Sequence, residues 1–176
     1  MEEPKIRELI KSDSKKYFKW INDRELVVFN SPYKPISQDE HNLWFEKISH
    51  DKNIKIFSII IENDGIETNL IGSCSLRNID YQSLNAELQI RIGEKDYQSR
   101  GYGTTVTKQL LNFGFNELNL NRIYLDVFES NKRARKVYAK CGFVEEGVKR
   151  EGTFIEGKFE DIVLMSILSK EFYTNK

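Results

Sequence analysis

Midway along the chain the hydrophobic pattern changes period across one short loop, and few folds accommodate that change. Asn85 to Ile92 alternates, with Leu88, Ile90 and Ile92 on one face and Glu87, Gln89 and Arg91 on the other, the period-2 signature of a strand. Past the loop, Gly103 to Leu118 sets Val106, Leu110, Phe113 and Gly114 along one side, which is helical period. A strand that passes through a glycine-bearing loop into an amphipathic helix is a building block of α/β sheets.

The flanking segments extend that unit. Lys5 to Ile10 reads as a first strand, and Ser14 to Val27 as one helix with Phe18, Trp20, Ile21 and Leu26 as its apolar residues. Asn30-Ser31-Pro32-Tyr33-Lys34-Pro35 is a loop, since two prolines so close break any ladder. Ser37-Gln38-Asp39-Glu40 matches a capping box, and the helix it opens places Leu43, Trp44, Lys47 and Ile48 along one side. Ile54 to Glu62 and Leu70 to Ile79 are strands around Asn63-Asp64-Gly65, where Asp-Gly is a hairpin signal. Arg122 to Phe128 is a strand, Asn131 to Lys140 a helix, and Phe143 to Arg150 and Phe159 to Leu168 two closing strands. A meander of strands followed by strand–helix–strand–helix–strand–strand predicts a mixed α/β sheet, not a fully alternating doubly wound one. With no repeat, low-complexity tract or linker, one domain over residues 1–176 is expected.

Composition excludes several classes of function. The 176 residues suffice to bury a core. Lys plus Arg and Asp plus Glu both number 27, so no net charge marks the chain for nucleic acid or an anionic membrane. The longest apolar run, around Phe57 to Ile61, is strand-sized and far below the ~20 residues that span a bilayer. Met1-Glu2-Glu3-Pro4 has neither the basic nor the apolar region of a secretory signal, so a cytoplasmic location is expected. Cys74 and Cys141 are then expected as buried free thiols. With His41 and His50 they form no ligand pattern, so no metal site is expected.

The loop at the period change is where chemistry is expected. Gly101 and Gly103 bracket the first turn of the helix and let backbone approach a ligand closely. The first amides of a helix lack intrahelical partners and the dipole is positive there, which suits a pyrophosphate. The same glycines also serve a plain turn. A Walker A loop is absent, and a dinucleotide fingerprint counted from Gly101 would need a third glycine where Val106 stands.

A second motif lies further on. Asn131-Lys132-Arg133-Ala134-Arg135-Lys136-Val137-Tyr138-Ala139-Lys140-Cys141-Gly142-Phe143 follows a strand, one helix after Gln98-Ser99-Arg100-Gly101-Tyr102-Gly103. Together they resemble the GNAT superfamily of acyl-CoA-dependent N-acetyltransferases, with its patterns Gln/Arg-x-x-Gly-x-Gly/Ala and Asn-x-x-Ala-x-x-x-Tyr-x-x-x-Gly-Phe. The resemblance runs from about Lys5 to Phe172. Ala86-Glu87-Leu88 and the tail from Arg150-Glu151-Gly152 to Glu160-Asp161 resemble the branch of ribosomal-protein alanine and spermidine N-acetyltransferases.

That resemblance implies an α/β fold with a mixed, mostly antiparallel sheet flanked by helices and splayed between its fourth and fifth strands, with acetyl-CoA in the opening. Backbone of Ile90, Arg91 and Ile92 would pair with the pantetheine arm, and amides from Gln98 to Thr104 would cradle the pyrophosphate. Asn131 would bond the cofactor near its thioester, and Arg133 or Lys136 would reach its phosphates, although cations on this helix also suit a solvated face. Tyr138 would be the acid toward the leaving thiolate; its position on a stripe with Ala134, Val137 and Cys141 equally suits core. Glu87 is the candidate base, directly or through water, against the plainer reading of a solvated strand carboxylate.

For the acceptor, a small primary amine such as a polyamine or amino-sugar is favoured over a protein N-terminus. A non-catalytic acyl-CoA sensor is the third reading, and nothing in the sequence excludes a homo-oligomer. Trp20, Phe29, Tyr33 and Trp44 with Asp23, Glu25 and Asp39 would wall the acceptor site, aromatic and acidic groups being suited to a compact cation. Spermidine N-acetyltransferases carry a Glu-Glu-Pro-Tyr stretch where this chain has Asn30-Ser31-Pro32-Tyr33, so the paired acids are missing.

Overall fold

A computed structural model of the chain describes residues 3–48 and 50–174. The elements run β1 (Pro4–Glu8), a 3-10 turn (Lys11–Asp13), α1 (Ser14–Ile21), α2 (Arg24–Val27), α3 (Gln38–Ile48), β2 (Lys55–Asn63), β3 (Ile66–Asp80) and β4 (Asn85–Ile92). A second 3-10 turn (Lys95–Tyr97) leads to α4 (Tyr102–Asn112), which continues into a π-helical turn (Phe113–Glu117). Then come β5 (Arg122–Phe128), α5 (Lys132–Lys140), β6 (Val144–Ile155), β7 (Lys158–Leu168) and α6 (Ser169–Thr174). Seven strands form one sheet in the order β1-β2-β3-β4-β5-β7-β6, and of its neighbours only β4 and β5 run parallel.

The expected mixed, mostly antiparallel sheet is present, and so is the splay. β4 and β5 pair only at Asn85–Arg122, Ala86–Ile123 and Glu87–Tyr124. From Leu88 to Ile92, β4 has β3 on one side and, among the described residues, no strand on the other.

Local chemistry explains the elements that match expectation. Asp64 (φ +52°) and Gly65 (φ +80°) form the β2–β3 turn, with the two positive φ values that a type I′ hairpin requires. The Ser37 amide donates to Glu40 Oε2 at 3.0 Å while Ser37 Oγ accepts from the Glu40 amide at 3.2 Å, a reciprocal capping box.

Three expectations need correction. The single helix over 14–27 is two: Asp23 stands extended and caps α2 by accepting from the Glu25 and Leu26 amides, and a capping Asp stops the first helix where it starts the second. On α3 the buried residues are His41 and Ile48, with Phe45 half-buried, while Leu43 and Trp44 are exposed. His41 is drawn in by Ser14, whose carbonyl lies 2.9 Å and whose hydroxyl lies 3.1 Å from Nε2. Finally, β6 continues to Ile155, because a bulge after Lys149 lets the ladder re-form at Thr153.

The two sheet faces carry separate cores. Ile59, Ile61, Ile71, Leu76 and Leu88 pack with Val106, Leu110 and Leu111 of α4. On the opposite face Ile60 and Leu70 pack with Tyr17 and Trp20 of α1 and Leu26 of α2. Successive isoleucines of β2 thus point to opposite cores, as strand alternation demands. Each such side chain contributes about 1.5–3 kcal/mol on burial.

Candidate functional site

One cleft occupies the splay. Its walls are Ile90, Arg91 and Ile92 of β4, Gln98, Ser99, Gly101 and Gly103 around the start of α4, and Asn131, Arg133, Ala134, Val137 and Tyr138 at α5. Leu26, Phe29 and Asn30, from α2 and the loop after it, close the remaining side. Ten of the fifteen residues expected at the cofactor or in catalysis therefore meet at one place. Glu87, Arg100, Tyr102, Thr104 and Lys136 are not among the lining residues.

The loop before α4 presents a run of amides. Gly101 is the N-cap at φ +85° with nothing within 4 Å of a Cβ there, a backbone state that glycine adopts without strain. The Ser99, Arg100 and Gly101 amides have no acceptor among the described residues, and those of Tyr102 and Gly103 open the helix, where no intrahelical acceptor exists. At both ends of the run the amides are used: Gln98 N donates to Lys95 O at 3.0 Å and Thr104 N to Gly101 O at 2.9 Å. The amides without an acceptor thus run from Ser99 to Gly103, within the Gln98–Thr104 span expected from sequence. Arg100 lies over the Tyr97 ring, which Tyr102 also stacks on. Gln98 ties the loop back to β4 by donating from Nε2 to Ile92 O at 3.0 Å.

On the α5 side, Asn131 is engaged at both ends of its amide. Its Oδ1 caps α5 by accepting from Ala134 N at 3.1 Å, and its Nδ2 donates to Phe29 O at 3.4 Å, clipping the two walls together. Arg133 leans over the loop, donating to Gln98 Oε1 and Ser99 Oγ at 3.4 Å, while Lys136 is exposed. Tyr138 is buried against Phe143, yet its hydroxyl has no hydrogen-bond partner among the described residues and the residue lines the cleft. Burial, with a smaller contribution from Cys141, pushes that hydroxyl well above the ordinary tyrosine value.

Glu87 stands on the last rung shared by β4 and β5, where its carboxylate accepts from Asn78 Nδ2 at 2.8 Å and Gln89 Nε2 at 3.4 Å. The expected aromatic and acidic acceptor wall forms only in part. Phe29 reaches the cleft, but Trp20 is 1% exposed and its Nε1 donates to Glu94 Oε1 at 3.2 Å. Asp23 caps α2, and Glu25 pairs with Lys95 at 2.5 Å. Leu26 and Asn30 are lining residues that sequence reasoning missed; Leu26 carried only the signal of an apolar helix face.

Among the described residues no cluster of three or more His, Cys, Asp or Glu could hold a metal, and no helix is long and apolar enough to cross a membrane.

Comparison with known proteins adds the following. Residues 5–144 match the family model described as an acetyltransferase (GNAT) domain. A spermidine N(1)-acetyltransferase of Vibrio cholerae serotype O1 is 34% identical over 169 residues, covering 95% of this chain and 94% of that one. Its counterpart from Escherichia coli K12 is 31% identical over 144 residues, covering 82% and 73%. The solved structure of spermidine N-acetyltransferase from Vibrio cholerae in complex with CoA and spermine superposes with a TM-score of 0.88 at 33% identity, covering 97% of this chain and 98% of that one.

Proposed function

This chain belongs to the GNAT acetyltransferase family, and from that premise we propose that its cleft binds acetyl-CoA and passes the acetyl group to the primary amine of a small molecule, the class that includes the polyamines its relatives are named for. One observation carries the reading. Open amides at the start of α4, the unpaired edge of β4 and the free hydroxyl of Tyr138 line a single cleft.

Acetyl-CoA supplies an activated acyl group on sulfur. The Ser99–Gly103 amides donate to its pyrophosphate at the positive end of α4, and Arg133 stands beside that loop with further donors. The Ile90–Ile92 edge pairs with the amide-bearing arm as an added strand would. The neutral amine attacks the carbonyl carbon: an N–C bond forms, the C–S bond breaks, the sulfur leaves as thiolate, and the proton shed by the nitrogen passes to water and from solvent to the thiolate. Holding both partners in line supplies much of the acceleration.

Tyr138 donates a hydrogen bond to the departing sulfur. With a thiol near ~8.5 and tyrosine near ~10, full proton transfer is uphill by about 2 kcal/mol before any perturbation. The upward shift at Tyr138 widens that gap, so the hydroxyl serves as a donor that strengthens as charge develops. Two buried free thiols, Cys74 and Cys141, support a reducing, cytoplasmic setting.

Release of CoA thiol from acetyl-CoA with spermidine, spermine or glucosamine tests the proposal. Tyr138→Phe should lower kcat by about 100-fold with acetyl-CoA affinity unchanged. Full turnover in that variant would return Tyr138 to the core and remove its role.

A further inference from the structure

Between the β4 edge that takes the cofactor arm and the α4 loop that takes its pyrophosphate lie Gly93, Glu94 and Lys95, none of which lines the cleft. The amides of Gly93 and Glu94 donate to Ile71 O at 2.8 and 3.1 Å, which seats the stretch on β3. Lys95 joins it to the α4 loop, since Gln98 N donates to Lys95 O at 3.0 Å. Where this stretch stands, the cofactor segment stands.

Its side chains reach the other way, to α1 and α2. A Cβ on Gly93 would stand 2.3 Å from Cδ2 and Cε2 of Trp20, so the indole lies directly on the backbone, an approach that glycine permits. Trp20 Nε1 donates to Glu94 Oε1 at 3.2 Å, and Lys16 and Lys19 bring Nζ to 3.7 and 3.6 Å from the same carboxylate. Lys95 Nζ lies 2.5 Å from Glu25 Oε2 and 3.9 Å from Asp23 Oδ2. Glu25 immediately precedes Leu26, and Asp23 caps the helix that carries both. Leu26, Phe29 and Asn30 form the wall that neither the β4 edge nor the α4 loop supplies. With the cofactor on those two, this wall is left to the acceptor.

α2 has only four residues, too few for internal hydrogen bonds to hold a helix in place, so its ties to neighbours decide where Leu26 stands. An ion pair as exposed as Lys95–Glu25 adds little to stability, whereas rate falls steeply when a reacting partner is displaced. We propose that Lys95 and Glu94 are positioning residues for the transfer. Lys95 acts through Glu25 and Asp23, Glu94 through Trp20, and together they set the acceptor wall against the cofactor segment. The inference rests on the acetyltransferase reading and adds to it two residues outside the cleft.

Thiol release from acetyl-CoA with spermidine tests it, beside acetyl-CoA Kd by calorimetry and Tm. Lys95→Met should lower kcat/KM for spermidine by about three- to tenfold, with acetyl-CoA Kd and Tm unchanged. Lys95→Arg keeps a cation within reach of Glu25 and should restore most of the rate. Glu25→Gln should also lower the rate, and the double variant should be no worse than Lys95→Met alone, because both remove one tie. Glu94→Ala strips the Trp20 N–H of its acceptor and should cost at least as much as Lys95→Met. Glu94→Gln keeps an acceptor and should recover part of that loss, so a folding failure in the alanine variant leaves the glutamine variant and the Lys95 series informative. Losses at Lys95 and Glu25 that add in the double variant overturn the assignment, as does full turnover in Lys95→Met. A raised acetyl-CoA Kd in Lys95→Met overturns it too, by giving that ammonium to the cofactor, and a Tm that falls in step with the rate makes both residues structural. Each of these outcomes leaves the transferase reading standing. No thiol release by the parent protein with any amine overturns that reading itself.

Discussion

Arg7 and Arg91 stand at opposite ends of one cross-strand row, and their surroundings differ as far as two arginines can. Arg7 makes paired hydrogen bonds to Asp13 at 2.7 and 2.9 Å and to Glu67 at 2.8 Å. Asp13 is buried and accepts in addition from Ser58 Oγ at 2.6 Å and the Ile10 amide at 3.1 Å. That network joins β1, the 3-10 turn, β2 and β3, so every charge taken from water is met by an opposite one. Arg91 has no such company. A charge whose partners are all in the chain belongs to the fold, whereas Arg91 is half-buried in the cleft lining with no ion pair among the described residues. The same residue type, on the same sheet face, thus ties four elements together at one end and lines the cleft at the other.

The contrast breaks most visibly at Asp13. Removing one member of a buried pair strands the other, at about 3–5 kcal/mol, so Asp13→Ala should lower Tm by about 6–20 °C in a chain of this size. Its pH dependence has a definite sign. Burial would raise the Asp13 pKa, but the hydrogen bonds from Arg7, Ser58 and the Ile10 amide hold it below the ordinary value. A carboxyl lowered on folding adds stability above its unfolded pKa of about 3.9 and loses it as pH falls through the folded value. The Tm gap between the two proteins should be full at pH 6 and narrow below pH ~4. A gap independent of pH would assign the loss to packing instead of charge.

The other end of the row should respond in the opposite way. Arg91→Gln removes a half-buried charge that has no ion pair among the described residues, so stability should stay within about 1 kcal/mol of the parent or rise. Thermal melts of the two variants side by side are the measurement. A loss at Arg91 as large as that at Asp13 would reveal a structural partner there and erase the distinction between the two ends.

How far the site could be read in advance follows from the range of the interactions that make it. The Ser37–Glu40 box, the Asp64-Gly65 turn and the glycines before α4 are decided within a few residues, and each stands where sequence predicts. The residues matched through the two motifs, Gln98 to Gly103 and Asn131 to Tyr138, come to one cleft for a related reason: each motif sits on one loop–helix unit, and the sheet order brings the two units together. Features that were not legible depend on distant partners. The Asn131 bond to the Phe29 carbonyl joins residues far apart in sequence, and the inward turn of His41 depends on Ser14. The isolation of Arg91 can be recognised only once Glu25, Glu94 and Asp23 are seen to be taken.

Glu87 sharpens the comparison at its weakest point, since it lies four residues before Arg91 on the same strand and shares its sheet face. Sequence logic made it the candidate base: a primary ammonium with pKa ~10 must lose a proton before it can attack. Its carboxylate accepts from Asn78 and Gln89, and Glu87 is not among the residues that line the cleft. Beside it, the Tyr124 hydroxyl is raised by burial first and by the Glu87 charge second. Both observations describe a carboxylate settled among its own neighbours. Glu87→Gln keeps an oxygen to accept from Asn78 while removing the charge, so kcat/KM should change by no more than about threefold and the change should be flat with pH. The Tyr124 titration, followed by ultraviolet absorbance, should move slightly toward lower pH. A general base contributes about 10²–10⁴-fold. A loss of that size, present at neutral pH and recovered where free amine is abundant, would assign Glu87 the part of the base on the same strand face as Arg91.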